Sequence, residues 1–201
     1  MLDIVTETRT FIESALAGDP ALSTLVVTGA GADDLVATIE PGRTPATIGR
    51  LTYGNGTAPF TREDLVELVV RMQRSRWSRF DAYTLALAPA TYDDMKRLGE
   101  YAPMQFDGRT IGCECGEGWY DMLEATLSWI AEAHPTAWFK ASQIKEKFGT
   151  LRFYNTASTG WIPDIIDAAE HLSGSVCDQC GAPGKTGGQG WIATRCEEHK
   201  Q

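Results

Sequence analysis

The chain carries Cys177-Asp178-Gln179-Cys180-Gly181 and, with fifteen residues between Cys180 and Cys196, Cys196-Glu197-Glu198-His199. A C-x2-C pair followed by a C-x2-H pair constrains folding strongly, because tetrahedral zinc needs four donors converging on one point. A two-residue gap lets a tight knuckle aim two sulfurs inward, and Gly181 suits the turn that closes it. The intervening segment holds Gly184, Gly187, Gly188 and Gly190, with too few apolar residues to form a core of its own. Strand-like Gly190-Trp191-Ile192-Ala193-Thr194 can return the chain so that Cys196 and His199 meet the first pair. The histidine favours zinc over an iron–sulfur cluster. We therefore expect Cys177, Cys180, Cys196 and His199 to hold one zinc ion per chain. With all four positions filled by protein, that ion is structural, and its binding supplies the folding energy of the tail. An open fourth position, were His199 not a ligand, would revive a catalytic reading.

The alternative fate of cysteines is a disulfide framework. Five cysteines in a 201-residue chain cannot all pair, and an N-terminus without a basic region and an apolar run predicts a soluble, unexported protein, kept reduced in the cytoplasm. No stretch approaches the ~18 apolar residues of a membrane span. A hydrophobic fraction of 43% and a charged fraction of 22% suit one elaborated globular domain or a small pair. The net charge of −9, from 27 acids against 18 Lys and Arg, disfavours capture of nucleic acid or anionic membrane by the chain as a whole.

Periodicity predicts an α+β fold: helices with a small antiparallel sheet, plus a C-terminal zinc knuckle of ribbon or treble-clef kind. Leu2 to Ala17 reads as an opening helix stopped by Gly18-Asp19-Pro20. Ser23–Thr28, Leu35–Glu40 and Thr47–Tyr53 read as a short meander. Thr61 and Thr91 are helix caps with acids in the turn that follows, and Tyr83–Leu87 is a strand between those helices. Periodicity lapses from Tyr101 to Gly112, which predicts a division into residues 1–105 and 106–201. Beyond it lie a helix from Trp119 to Ala133, strands at Trp138–Ile144 and Thr150–Tyr154 joined by a loop over Lys145–Gly149, and a helix from Pro163 to Leu172. Phe148, Leu151 and Phe153, with Trp119, Trp161 and Trp191, are expected to knit the zinc tail to the helices.

Several further residues are candidates for chemistry. Cys113 and Cys115 read as small buried residues, as donors to a second site with His134 or His171, or as a replacement ligand in the first. Glu117, Asp121 and Glu124 share a helix face, either as a solvated acidic surface or as a carboxylate cluster. Arg71, Arg74, Arg76 and Arg79 beside Trp77, and Lys140, Lys145, Lys147 and Arg152 in the hairpin, are locally basic. Of these, Arg71, Arg74, Arg76, Lys145, Lys147 and Arg152 form the candidate interaction surface. Gly29-Ala30-Gly31 lacks the third glycine and following helix of a dinucleotide loop and reads as a turn. Gly184-Lys185-Thr186 has Gln179 where a phosphate loop needs glycine.

Glu114-Cys115-Gly116 with Gly118-Trp119, Gln143 to Gly149 with Leu151-Arg152-Phe153-Tyr154, the CxxCG knuckle, and Gly190-Trp191 before Thr194, Cys196 and His199 form a wider pattern. It resembles a recurring family of small uncharacterised proteins in phages, prophages and bacteria, over about residues 114 to 199. The chain departs from it at Thr150, where a second glycine often stands, and Cys113 lies outside it. The resemblance implies a cytoplasmic zinc-binding module of phage origin and no particular activity. The expectation is thus a zinc-stabilised protein-interaction module in a bacterial cell, an inhibitor or adaptor whose partner is a host or phage protein. Two alternatives stand beside it: a nucleic-acid-binding zinc protein, and an enzyme using the Cys115–Asp121 region.

Overall fold

A computed structural model of the chain describes residues 3–51, 54–98, 105–106, 109–110, 113–133, 139, 141–156 and 160–200. The first helix, α1 (Ile4–Ala15), starts where the Asp3 carboxylate accepts from the Val5 and Thr6 N–H groups. β1 (Val26–Thr28) and β2 (Val36–Thr38) then pair antiparallel. Between them the Asp34 carboxylate accepts from the N–H groups of Ala30 and Gly31. The donors that would cradle a phosphate are spent on a turn, as the sequence predicts.

The expected three-stranded meander is two separate pairs. β3 (Pro45–Leu51) pairs with β4 (Gly54–Thr61), a strand that Gly54, Gly56 and Pro59 conceal in the sequence. Thr61 and Asp64 form a reciprocal capping box that opens α2 (Arg62–Trp77). The single strand expected at Tyr83–Leu87 is a hairpin of β5 (Phe80–Asp81) and β6 (Ala86–Leu87). Its turn forms because the Asp81 carboxylate accepts from the N–H groups of Tyr83 and Thr84. A second capping box, from Thr91 and Asp94, starts α3 (Tyr92–Arg97).

In the aperiodic stretch, β7 (Gln105–Phe106) pairs with β8 (Arg109–Thr110). β9 (Cys113–Glu114) follows, then a 3-10 turn over Glu117–Trp119 and α4 (Tyr120–Ala133). β10 (Ala141–Lys147) runs antiparallel to β11 (Thr150–Asn155) and parallel to β9, giving a sheet ordered β11-β10-β9. Lys145 to Lys147, expected in a loop, are strand residues. The connection is the two-residue turn Phe148-Gly149, with φ of 54° and 77°. His134, Trp138 and Lys140 lie outside the described residues.

α5 (Ile162–Leu172) closes the free edge of β11, since the Glu170 carboxylate accepts from the Phe153 N–H and the Ser173 hydroxyl from the Leu151 N–H. α2 is the hub, packing on α1, α4 and α5. One buried cluster includes Phe11, Phe60, Leu68, Leu123, Ile144 and Leu172, so packing crosses the division expected near residue 105. Each such side chain contributes about 1.5–3 kcal/mol by leaving water. No helix among the described residues is long and apolar enough to cross a membrane.

Candidate metal centre

A 3-10 turn at Ser173–Ser175 leads from α5 into the knuckle. There the Cys177 N–H donates to the Ala182 carbonyl at 2.8 Å and the Gly181 N–H returns to the Cys177 carbonyl at 2.9 Å, which curls both sulfurs to one side. β12 (Lys185–Gly187) and β13 (Ala193–Arg195) form the hairpin that brings the chain back. A terminal 3-10 turn over Glu197–His199 then presents the last two donors. Knuckle, hairpin and short helix follow one another in the treble-clef order.

The sulfurs of Cys177, Cys180 and Cys196 and a ring nitrogen of His199 lie within 4.8 Å of one another. Zinc bonds of about 2.3 Å to sulfur and 2.0–2.1 Å to nitrogen, at tetrahedral angles, put donors about 3.6–3.8 Å apart. The distances are 3.7 Å from Cys180 Sγ to Cys196 Sγ, 3.5 Å from Cys177 Sγ to His199 Nδ1 and 3.2 Å from Cys196 Sγ to His199 Nδ1. The four residues therefore fit a tetrahedral ion of zinc size, which would neutralise sulfurs otherwise left sharing protons. Within the pair, the hydrogen bond from the Cys180 thiol holds Cys177 below its ordinary value and Cys180 above it. Four protein donors leave no position for a reacting water.

The knuckle is fastened to the helices by residues whose role spacing alone did not indicate. The Gly118 N–H donates to the Asp178 carbonyl at 3.0 Å, and the Trp119 indole N–H to the Val176 carbonyl at 2.9 Å. A Cβ on Gly118 would lie 2.3 Å from the Cys177 carbonyl oxygen, and one on Gly116 2.0 Å from that of Asp178. The Gly-x-Gly-Trp segment is thus the seat of the knuckle, pressed backbone to backbone. Its glycines were visible in the sequence; what they approach was not. Arg195 pairs with Asp178 across the knuckle. The Thr194 hydroxyl donates to the Gly149 carbonyl at 2.6 Å, docking the β12–β13 hairpin on the β10–β11 turn.

The other candidates have structural partners. Arg76 is buried, with its guanidinium on Glu7 and on the Cys180 carbonyl. Arg71 pairs with Glu67 and Glu132 and lies over the Trp129 ring, while Arg74 donates to the Leu35 carbonyl. Arg79 holds the buried Asp121 with two bonds of 2.7 Å, so Asp121 belongs neither to a solvated face nor to a free carboxylate cluster. Cys113 and Cys115 are half-buried and hydrogen-bonded to each other. His171 Nε2 is 2.7 Å from the Ala15 carbonyl oxygen, and burial holds the ring below its ordinary pKa. Among the described residues the C-terminal four are the one metal-sized group.

Leu151, Phe153 and Trp119 are buried as expected, and the Trp161 ring packs at a tilt against Trp129. Phe148 and Trp191 are not knitting residues: they are 66% and 76% exposed, and Ile192 is 41% exposed. Phe148 and Ile192 flank a cleft of about 540 Å³ whose wall includes Thr150, Arg152 and His171. Comparison with family models, curated proteins and solved structures finds no match to this chain.

Proposed function

We propose that this chain is a zinc-stabilised protein-interaction module and that the junction of the β10–β11 turn with the zinc hairpin is its contact face. The observation that carries the reading is Phe148. A left-handed φ of 54° is costly for a phenylalanine, and the first position of such a turn favours Asn or Gly. The ring recovers little of that by burial, being 66% exposed. A strained residue presenting an aromatic side chain to solvent is better explained by use than by stability. Ile192 lines the same cleft, and Trp191, its neighbour in sequence, is exposed as well. The metal centre supports the face by fixing the hairpin that carries them.

The alternatives receive less support. The α2 arginines that would meet phosphates are tied to carboxylates or carbonyls, which leaves nucleic acid little uncompensated charge there. In the Cys115–Asp121 region, Gly116 and Gly118 seat the knuckle and Asp121 is held by Arg79, all packing roles. The resemblance over residues 114 to 199 adds the setting to the proposal: an inhibitor or adaptor of a phage or mobile element, working in the bacterial cytoplasm on a host or phage protein.

A photo-crosslinking phenylalanine analogue at Phe148, expressed in a bacterial host, tests the reading. Protein adducts that disappear when the analogue is moved to exposed Tyr92, away from this face, are expected. Adducts to nucleic acid alone, or none from a folded, zinc-loaded protein, would overturn it.

A further inference from the structure

We infer that this face recognises an acidic segment of a partner protein, with an apolar side chain of that segment seated between Phe148 and Ile192. The inference rests on the interaction reading of the same face and adds the chemistry of the partner. Strand register decides which hairpin residues point outward. Lys145 stands opposite Arg152, Lys147 opposite Thr150 and Gln143 opposite Tyr154, so these six share one face. Lys147 and Tyr154 are exposed and Thr150 lines the cleft, which makes this the outward face, while Ile144, Leu151 and Phe153 on the other are buried; Arg152, expected on the interaction surface, is itself buried in the cleft wall, donating to the Leu151 carbonyl.

None of the six is acidic, on a chain of net charge −9. The hairpin's single carboxylate, Glu146, belongs to the buried set by register and accepts from the Gly149 N–H. On the neighbouring elements Glu170 accepts from the Phe153 N–H, Glu197 is bound by Lys200, and Glu114, beside Lys145 in the parallel β9–β10 register, accepts from the Gln143 side-chain amide. Lys145 and Lys147 have no carboxylate partner among the described residues, unlike Arg62, Arg71, Arg76 and Arg79. Their ammonium groups lie 5.4 Å over the Tyr154 ring and 5.5 Å over the Phe148 ring. Lysines that form no ion pair, Lys145 donating instead to the Gln143 side chain, set beside exposed rings select a ligand that is at once anionic and apolar.

The polar groups near the cleft floor are already satisfied. Ser14 and Ser175 bond to each other at 3.0 Å, and Thr186 bonds to Thr194 at 2.7 Å. That leaves apolar contact and positive charge as the recognition elements, suited to a peptide with an anchor residue. A single-stranded nucleic acid could stack on the same rings. Two or three phosphate contacts give a salt slope of only about −2 and weak binding at physiological salt, so the peptide is favoured.

The test is fluorescence anisotropy of the full zinc-loaded chain with three labelled probes: a glutamate peptide interrupted by one phenylalanine, its glutamine counterpart, and an oligothymidylate. Salt-sensitive binding of the glutamate peptide is expected, weakened about tenfold by the double reversal Lys145→Glu/Lys147→Glu. Phe148→Asn, which suits the turn, should weaken it similarly without unfolding the protein. Equal binding of the glutamine peptide would overturn the inference. So would binding of the oligonucleotide alone, or self-association with no peptide bound. Protein adducts from the crosslinking experiment that map to a basic or uncharged segment would overturn the acidic specificity and leave the interaction reading standing.

Discussion

Arg76 Nη1 donates to the Cys180 carbonyl oxygen at 2.6 Å, joining α2 to the metal knuckle across 104 residues of sequence. The same guanidinium meets the buried Glu7 carboxylate, which also accepts from the Trp77 indole at 2.7 Å. One side chain therefore ties α1, α2 and the C-terminal knuckle together. Arg76→Ala leaves Glu7 buried without its counter-ion and should cost about 3–5 kcal/mol. Denaturant unfolding of the zinc-loaded protein measures this, and Glu7→Gln in the same chain should recover part of the loss. A full-stability Arg76→Ala protein would show that the tie is dispensable.

Purified protein should contain about one zinc per chain, bound by three thiolates and one imidazole. Cys177→Ser or a strong chelator should remove the ion and expose the amides of residues 176–199 to hydrogen exchange while α2 and α4 stay protected. Because thiols lose protons when they bind metal, loading should acidify a weakly buffered solution. A tail that remains protected without metal would contradict the fit of the four donors.

Gly118→Ala places a methyl group 2.3 Å from the Cys177 carbonyl oxygen, and neither backbone can retreat cheaply. A loss above about 2 kcal/mol is expected, together with weaker zinc retention in a competition titration. Gly187→Ala is the control in the same module: an added Cβ there meets nothing within 4 Å, and stability should be almost unchanged.

Phe148→Asn should raise the unfolding free energy by about 0.5–1 kcal/mol, because Asn adopts the left-handed conformation more readily than a large aromatic residue. Thermal or denaturant unfolding checks the sign. A loss of stability would mean that the exposed ring is held by contacts that outweigh its backbone strain.

Asp19 supplies a pH test. Burial opposes its ionisation, but hydrogen bonds from Arg62 and from the N–H groups of Thr47 and Ala21 outweigh it and hold the carboxyl below its ordinary value. Its contribution is then fully present above about pH 4 and is lost as the pH falls through the depressed folded value. The stability difference between the parent and Asp19→Asn, both supplied with zinc, should be flat at higher pH and shrink below about pH 4. A difference that grows on acidification would reverse the assigned sign.

What could be read from the chain was whatever local spacing determines. The four metal donors lie in two short pairs, and the helix starts at Thr61 and Thr91 are written in the three residues that follow each cap. Features that depend on distant partners were not readable. Arg76 sits in a basic run and reads as solvated, because its partner Glu7 is 69 residues away in sequence. Lys145-Glu146-Lys147 reads as a charged loop, although the structure sorts the two lysines and the glutamate to opposite faces of one strand. Phe148 and Trp191 read as core by residue type, and register and turn conformation turn them outward instead.

The closed edge of β11 limits how anything can dock beside the hairpin. Its outward N–H groups at Leu151 and Phe153 are already taken by Ser173 and Glu170, so a visiting strand finds no ladder to extend on that side. Recognition by strand addition is barred there, and with it the edge-to-edge stacking to which exposed hairpins are prone. A partner must be read by its side chains, which makes its sequence, rather than its readiness to form a strand, the quantity that selection can tune.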